Sequence, residues 1–221
     1  MVLPNNHDSQ GRKPLPQLPL PQLPLPGGLG LSLLCGRVHE LCGPARVALA
    51  ALTLAHTTGP VIWVSPGWQP ERLYPPGLQE LTDPARIIFA RARRPEDLLW
   101  TMEEALRSGA APVVLADLPA PPALTPVRRL HLAAESGAEA ARHRSRLPPI
   151  GLILTPELGG SQGVESRWHM VASPSGSTLL ERRSAWVMRR LRARMAPEAA
   201  FRLQHDASGR VTGAVLASSD L

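Results

Sequence analysis

"GRVHELCGPARVALAALTLA", residues 36–55, decides how the chain is read. The strand-like run "RVHELC" ends at Gly43 and Pro44, and small helix-forming residues follow over 45–55, the order of a strand turning through glycine into a helix. A phosphate-binding loop sits in this frame, because free backbone amides at a helix N-terminus attract anions. A working loop has the pattern G-x-x-x-x-G-K-[ST], in which bare amides cradle the phosphates, the lysine neutralises them and the hydroxyl holds Mg²⁺. Counted from Gly43, the second glycine is Ala48, the lysine is Leu49 and the hydroxyl is Ala50. Arg46 is the only cation nearby, and it stands too early in the loop for that role. Removing the charge that faces developing negative charge suppresses phosphoryl transfer by orders of magnitude. ATP hydrolysis is therefore not expected, no catalytic residue is assigned, and no cofactor is expected. Weak nucleotide binding through the amides near Gly43 stays open. Asp117, closing "VVLAD", stands where a Mg²⁺-binding carboxylate would stand, and without a lysine it reads as a structural residue or a cap for a neighbouring loop.

Outward from this stretch, strands and helices alternate. "PVIWVS" and "ARIIFA" read as strands, with the turn-rich "PGWQPERLYPPG" between them. "RRPEDLLWTMEEALRSGAA" reads as a helix: Pro95 suits its first position, Glu96 and Asp97 favour the positive end of its dipole, and Gly109 ends it. "PVVLADL" is a buried strand, and "LTPVRRLHLAAESG" a helix capped by Thr125 and stopped at Gly137. "IGLILTP" and "SRWHMVASP" are further strands. This order predicts an α/β domain with a mostly parallel sheet and helices on both faces. The run "ERRSAWVMRRLRARM" is expected to form a basic helix with an apolar stripe of Trp186, Val187, Leu191 and Met195, and "FRLQHDASGRVTGAV" a hairpin turning at Ser208 and Gly209.

Three segments follow: a Pro/Leu-rich arm over 1–30, a core over 31–176 and a C-terminal helix plus hairpin over 177–221. "PLPQLPLPQLPLP" in the arm disfavours helix and ladder and suits an extended polyproline conformation. The basic excess, 24 Lys plus Arg against 18 Asp plus Glu, is almost all arginine. It fits nucleic acid or an acidic partner, or else a high-GC coding bias. Arg182, Arg183, Arg189, Arg190, Arg192 and Arg194, with Trp186, are the candidate partner or DNA contacts, against the alternative of a solvated face. Arg91, Arg93, Arg94, Arg128 and Arg129 are weaker candidates of the same kind. Two cysteines indicate no disulfide framework, and Cys35, His39 and Cys42 lack the second pair that a zinc site needs. "GGSQGV" reads as a mobile loop, because no strand-to-helix frame surrounds it. No apolar run reaches the roughly 20 residues that span a bilayer, so a cytoplasmic protein without membrane contact is expected.

The order of "GRVHELCGP" and "ARIIFARARRPEDLLWTMEEALRSGAAPVVLADL" resembles the core of the RecA recombinase family. More specifically, "GRVHELCGP", "VIWVSP", "LYPPGL", "LLWTMEEALRSGA", "RRLHLAAESG", "ESRWHMVASPS" and "WVMRRLRAR" resemble the ImuA family, RecA-like accessory proteins of bacterial mutasomes. The resemblance implies a RecA-like fold and a recruiting or regulatory adaptor in SOS-induced translesion synthesis, not an independent enzyme. The implied partners are an ImuB-like relative of Y-family polymerases, RecA and, indirectly, an error-prone DnaE-type polymerase, with single-stranded DNA a further candidate. The lost lysine at Leu49 fits that picture, as does the lack of a carboxylate near Ser65, where the recombinases carry a glutamate. "GGSQGV" falls where RecA-like proteins place a DNA-facing loop. The related SulA-type division inhibitors, which bind FtsZ, share a diverged RecA-like core and imply an alternative function.

Overall fold

The computed structural model describes residues 21–144, 146–174, 184–206 and 208–217. A short hairpin, β1 (Gln22–Pro24) and β2 (Ser32–Leu34), precedes β3 (Val38–Cys42) and α1 (Arg46–Leu54). Then come β4 (Val61–Pro66), the short α2 (Pro75–Gln79), β5 (Ile87–Ala92), α3 (Pro95–Ser108), β6 (Val113–Asp117), α4 (Leu124–Arg142) and β7 (Ile150–Thr155). The chain closes with β8 (Ser166–Ser173), β9 (Ser184–Ala193), β10 (Ala199–His205) and β11 (Val211–Val215). One nine-stranded sheet runs in the order β11-β10-β9-β8-β3-β7-β6-β4-β5. The strands from β8 to β5 are parallel to one another, while β9, β10 and β11 are added antiparallel. The molecule is thus an α/β protein with a large, mostly parallel sheet flanked by helices.

In the parallel part of the sheet, β3 to β7, both faces bury apolar side chains, as covered parallel strands require. On one face Leu41, Trp63, Leu115, Leu152, Leu154 and Trp168 pack against Leu49 and Leu52 of α1 and against Leu23 and Leu33 of the β1–β2 hairpin. On the other, Val38, Val114, Ala116 and Ile153 meet Leu98, Met102 and Leu106 of α3 and Val127, Leu130 and Ala134 of α4. Each valine, leucine, isoleucine or methionine among them contributes on the order of 1.5–3 kcal/mol when fully buried. The α3 helix follows its sequence signals: Pro95 at its start, Glu96 and Asp97 in the first turn, Arg107 in the last, and Gly109 left-handed at φ 60°.

The structure corrects four expectations. The segment expected as a basic helix is, over Ser184–Ala193, the strand β9. Its side chains obey a period of two: Trp186 and Met188 pair with Leu203 and Phe201 and enter the core, whereas Met195, the fourth member of the expected helical stripe, is 91% exposed. Pairing with β8 on one side and β10 on the other satisfies the backbone of β9 and buries its aromatic side in one step. The α4 helix does not stop at Gly137 but continues to Arg142, and Thr125 lies inside it without capping; Ala123 is the cap residue, with no side-chain bond. Residues 21–30, assigned to the arm, enter the β1–β2 hairpin, where Leu23 and Leu25 are buried; residues 1–20 lie outside the described residues. Within the turn-rich stretch after β4, the paired prolines at 75 and 76 open the single-turn helix α2.

Candidate functional site

The degenerate loop leaves β3 at the C-terminal edge of the parallel strands, the edge where open α/β sheets bind ligands. Gly43 takes φ +94°, and a Cβ there would stand 2.7 Å from the His169 ring and from the Met170 carbonyl oxygen, so only glycine fits. The Ala45 amide donates to that same Met170 oxygen at 3.0 Å. Pro44 is exposed and Ala48 half-buried, but Leu49 and Ala50, at the lysine and hydroxyl positions, are both 0% exposed and belong to the core beneath α1. Both side chains serve packing.

Asp117 ends β6 beside this loop, and Arg46 Nη2 approaches its Oδ1 at 3.5 Å. Burial raises the Asp117 carboxyl above its ordinary value, and the Arg46 guanidinium offsets part of that rise. The pair ties the first turn of α1 to β6, so Arg46 is engaged by a protein carboxylate. Ser65, the residue next to which a water-activating carboxylate was sought, lies on β4, half-buried.

A second site went unrecognised in the sequence. Glu40, in the middle of β3, is 0% exposed and accepts hydrogen bonds from Thr155 Oγ1 (2.7 Å), Ser161 Oγ (2.7 Å), the Gly160 amide (3.1 Å) and the Ser161 amide (3.1 Å). Arg167 Nε donates to Glu40 Oε2 at 2.5 Å, the oxygen that the Ser161 amide also reaches, while Arg167 Nη2 binds the Ser161 carbonyl at 2.9 Å. Burial raises the Glu40 pKa, and the bonds from Arg167, Ser161 and Thr155 outweigh it, holding the carboxyl below its ordinary value. Gly159, at φ +69°, would place a Cβ 2.7 Å from Glu40 Oε1. The stretch "GGSQGV", expected to be mobile, is thus a nest of donors around an internal carboxylate. The available signal was an acid at the centre of the otherwise apolar "VHELC".

The other candidates separate. His39 shares its ring nitrogens with Ser166 Oγ (2.7 Å) and the Leu34 carbonyl (3.0 Å), and burial lowers its pKa to about 4. Burial pushes the Cys35 thiol up to about 11 and the Cys42 thiol to about 12. Among the described residues no cluster that could hold a metal is present. Of the arginine set, Arg182 and Arg183 lie outside the described residues. Arg190 lies over the Trp168 ring, its guanidinium 5.6 Å from the ring centre and its Nε on the Pro197 carbonyl at 2.8 Å, and Trp186 is buried in the core. Arg189 and Arg192 are exposed, and Arg194 reaches Glu165 at 3.8 Å. Among the weaker candidates, Arg91 binds the carbonyls of Gly67 and Gln69, and Arg93 is exposed. Arg94 and Arg129 line a surface groove of about 570 Å³ between α3 and α4. There they are paired with Asp97 (2.9 Å) and Glu103 (2.7 Å), and Arg128 is exposed.

Proteins named ImuA from two strains of Caulobacter vibrioides, NA1000/CB15N and ATCC 19089/CIP 103742/CB 15, are 36% identical to the chain over 123 residues. Over that segment the chain is similar to ImuA. The match takes in 53% of this chain and 48% of each ImuA, so the chain spans about half the length of the curated relatives it matches. No family model matches the chain. Among solved structures, SulA from Pseudomonas aeruginosa superposes with a TM-score of 0.42 at 19% identity, over 54% of this chain and 98% of that one.

Proposed function

We propose that the chain is a non-catalytic, RecA-like adaptor of the SOS mutagenesis system that acts in the cytoplasm by binding proteins near damaged DNA. The similarity to ImuA carries this reading, because no other feature of the chain points to a particular process. Its non-catalytic half is supported by Leu49 and Ala50, which occupy the core where a phosphate loop needs a lysine and a hydroxyl. The engagement of Arg46 by Asp117 supports it further, since the nearest cation is already neutralised. The partners in this reading are an ImuB-like polymerase relative and RecA, with an error-prone DnaE-type polymerase recruited indirectly. Among the described residues no helix is long and apolar enough to cross a membrane.

Co-purification tests the reading, with the ImuB-like protein of the same genome, RecA and FtsZ offered in parallel as baits. Retention by the ImuB-like protein is the expected result. Retention by FtsZ alone moves the chain to the division-inhibitor class and removes the adaptor reading. Calorimetry with ATP and Mg²⁺ is expected to show no heat at millimolar nucleotide.

A further inference from the structure

The two faces of the sheet are covered unequally. On the face that carries α1, strands β8 to β10 bury Trp168, Met170, Trp186, Met188, Phe201 and Leu203. On the opposite face α3 and α4 lie over β3, β4, β5, β6 and β7, and among the described residues no helix makes a comparable contact with β9, β10 or β11. Register sets Val171, Val187 and Arg202 side by side across β8, β9 and β10 on this second face, with His169, Arg189 and Ala200 in the adjacent row. The two valines are half-buried, Ala200 is buried, and both arginines are exposed. As diagonal neighbours on paired strands, Arg189 and Arg202 have Cα atoms about 7–8 Å apart. Strands β8 to β11 contain no aspartate or glutamate, and among the described residues neither Arg189 nor Arg202 has a carboxylate partner.

Among the described residues this half of the sheet carries a helix on one face only, an incomplete α/β layer, and the natural cover for its valine row is the apolar side of a helix. The charges choose the kind of helix: two guanidinium forks without a carboxylate partner among the described residues, beside an apolar row, complement carboxylates flanking an apolar stripe. Single-stranded nucleic acid fits less well, because it needs aromatic rings to stack its bases, and Trp168, Trp186 and Phe201 all face the opposite side, in the core. Resting on the adaptor reading, we propose that the β8–β10 face opposite α1 docks an acidic amphipathic helix of the partner protein, continuing the helical layer of α3 and α4.

The test is retention of the ImuB-like protein by the full chain, by Arg189→Glu/Arg202→Glu and by Arg189→Lys/Arg202→Lys, with unfolding midpoints measured for all three. Both side chains are exposed, so the midpoints should agree. The Glu pair should lose retention at least about tenfold, and the Lys pair should stay within about threefold of the original. Equal retention by the Glu pair overturns this docking face while leaving the adaptor reading in place. Failure of the original chain to retain the partner overturns the adaptor reading and the docking face with it. A labelled single-stranded oligothymidylate supplies the nucleic-acid arm. If the Glu pair loses the oligonucleotide but keeps the partner, the face serves nucleic acid and the proposal is overturned.

Discussion

Glu40 sits on a central strand with no exposed surface, where an uncompensated charge would cost several kcal/mol or more. Five donors from three segments compensate it, and Glu40→Ala leaves all of them facing a void, including the Arg167 charge. The expected loss is about 3–5 kcal/mol, read as a lower urea midpoint. A loss below about 1 kcal/mol would mean that the loop is held some other way. The neighbouring His39 sets a pH dependence. Its folded pKa of about 4 lies below its ordinary value of 6.5, so the unfolded chain takes up the proton first. Stability is therefore full above the unfolded value and falls as pH drops from about 6.5 towards 4, by roughly 3 kcal/mol for this residue. His131 and His169, whose pKa values burial also lowers, add in the same direction. Glu40 adds a further loss at lower pH, as protonation passes below its ordinary value towards its depressed folded one. Thermal midpoints between pH 7 and 4 should fall steadily, and His39→Gln should flatten the slope.

At the scale of elements, the contact between α3 and α4 depends on two glycines. A Cβ on Gly137 would stand 1.9 Å from the Leu106 carbonyl oxygen, and one on Gly109 would stand 2.4 Å from the Gly137 oxygen. On an open helix face Gly→Ala gains about 1 kcal/mol from propensity. Here Gly137→Ala must push the helices apart, and a net loss of about 1–3 kcal/mol in a denaturant titration is expected. The same residue shows why α4 was misjudged. A stop signal and a close helix contact both ask for a missing Cβ, and sequence does not distinguish them. The ends of α3 were legible because proline, acids and a left-handed glycine each act within one turn. Strand β9 was not, since "AWVMRRLRA" satisfies a helical spacing through Trp186, Val187 and Leu191 and a strand spacing through Trp186 and Met188. Only the neighbouring strands β8 and β10 choose between them.

For the whole molecule, legibility follows the sequence distance over which a feature is built. The strand-turn-helix around Gly43 was readable because Val38–Cys42, Gly43 and Arg46–Leu54 follow one another directly along the chain. The Glu40 nest was not, because its partners Thr155 and Arg167 lie 115 and 127 positions away. The C-terminal segment, set apart from the core by its change of composition, poses the same problem. Its strands extend the one sheet, and Trp186, Met188, Phe201 and Leu203 share a core with Leu41, Trp168 and the β1–β2 hairpin. Truncating a single buried residue of that size costs about 2–5 kcal/mol, and a domain holds only about 5–15 kcal/mol in total. A chain ending at residue 176 loses all four and bares the edge of β8 to solvent. It should show no near-ultraviolet dichroism and no cooperative urea transition, whereas the full chain unfolds in one step. A truncated chain that melts cooperatively near the full-length midpoint would instead make 31–176 a domain in its own right and β9 to β11 a detachable addition.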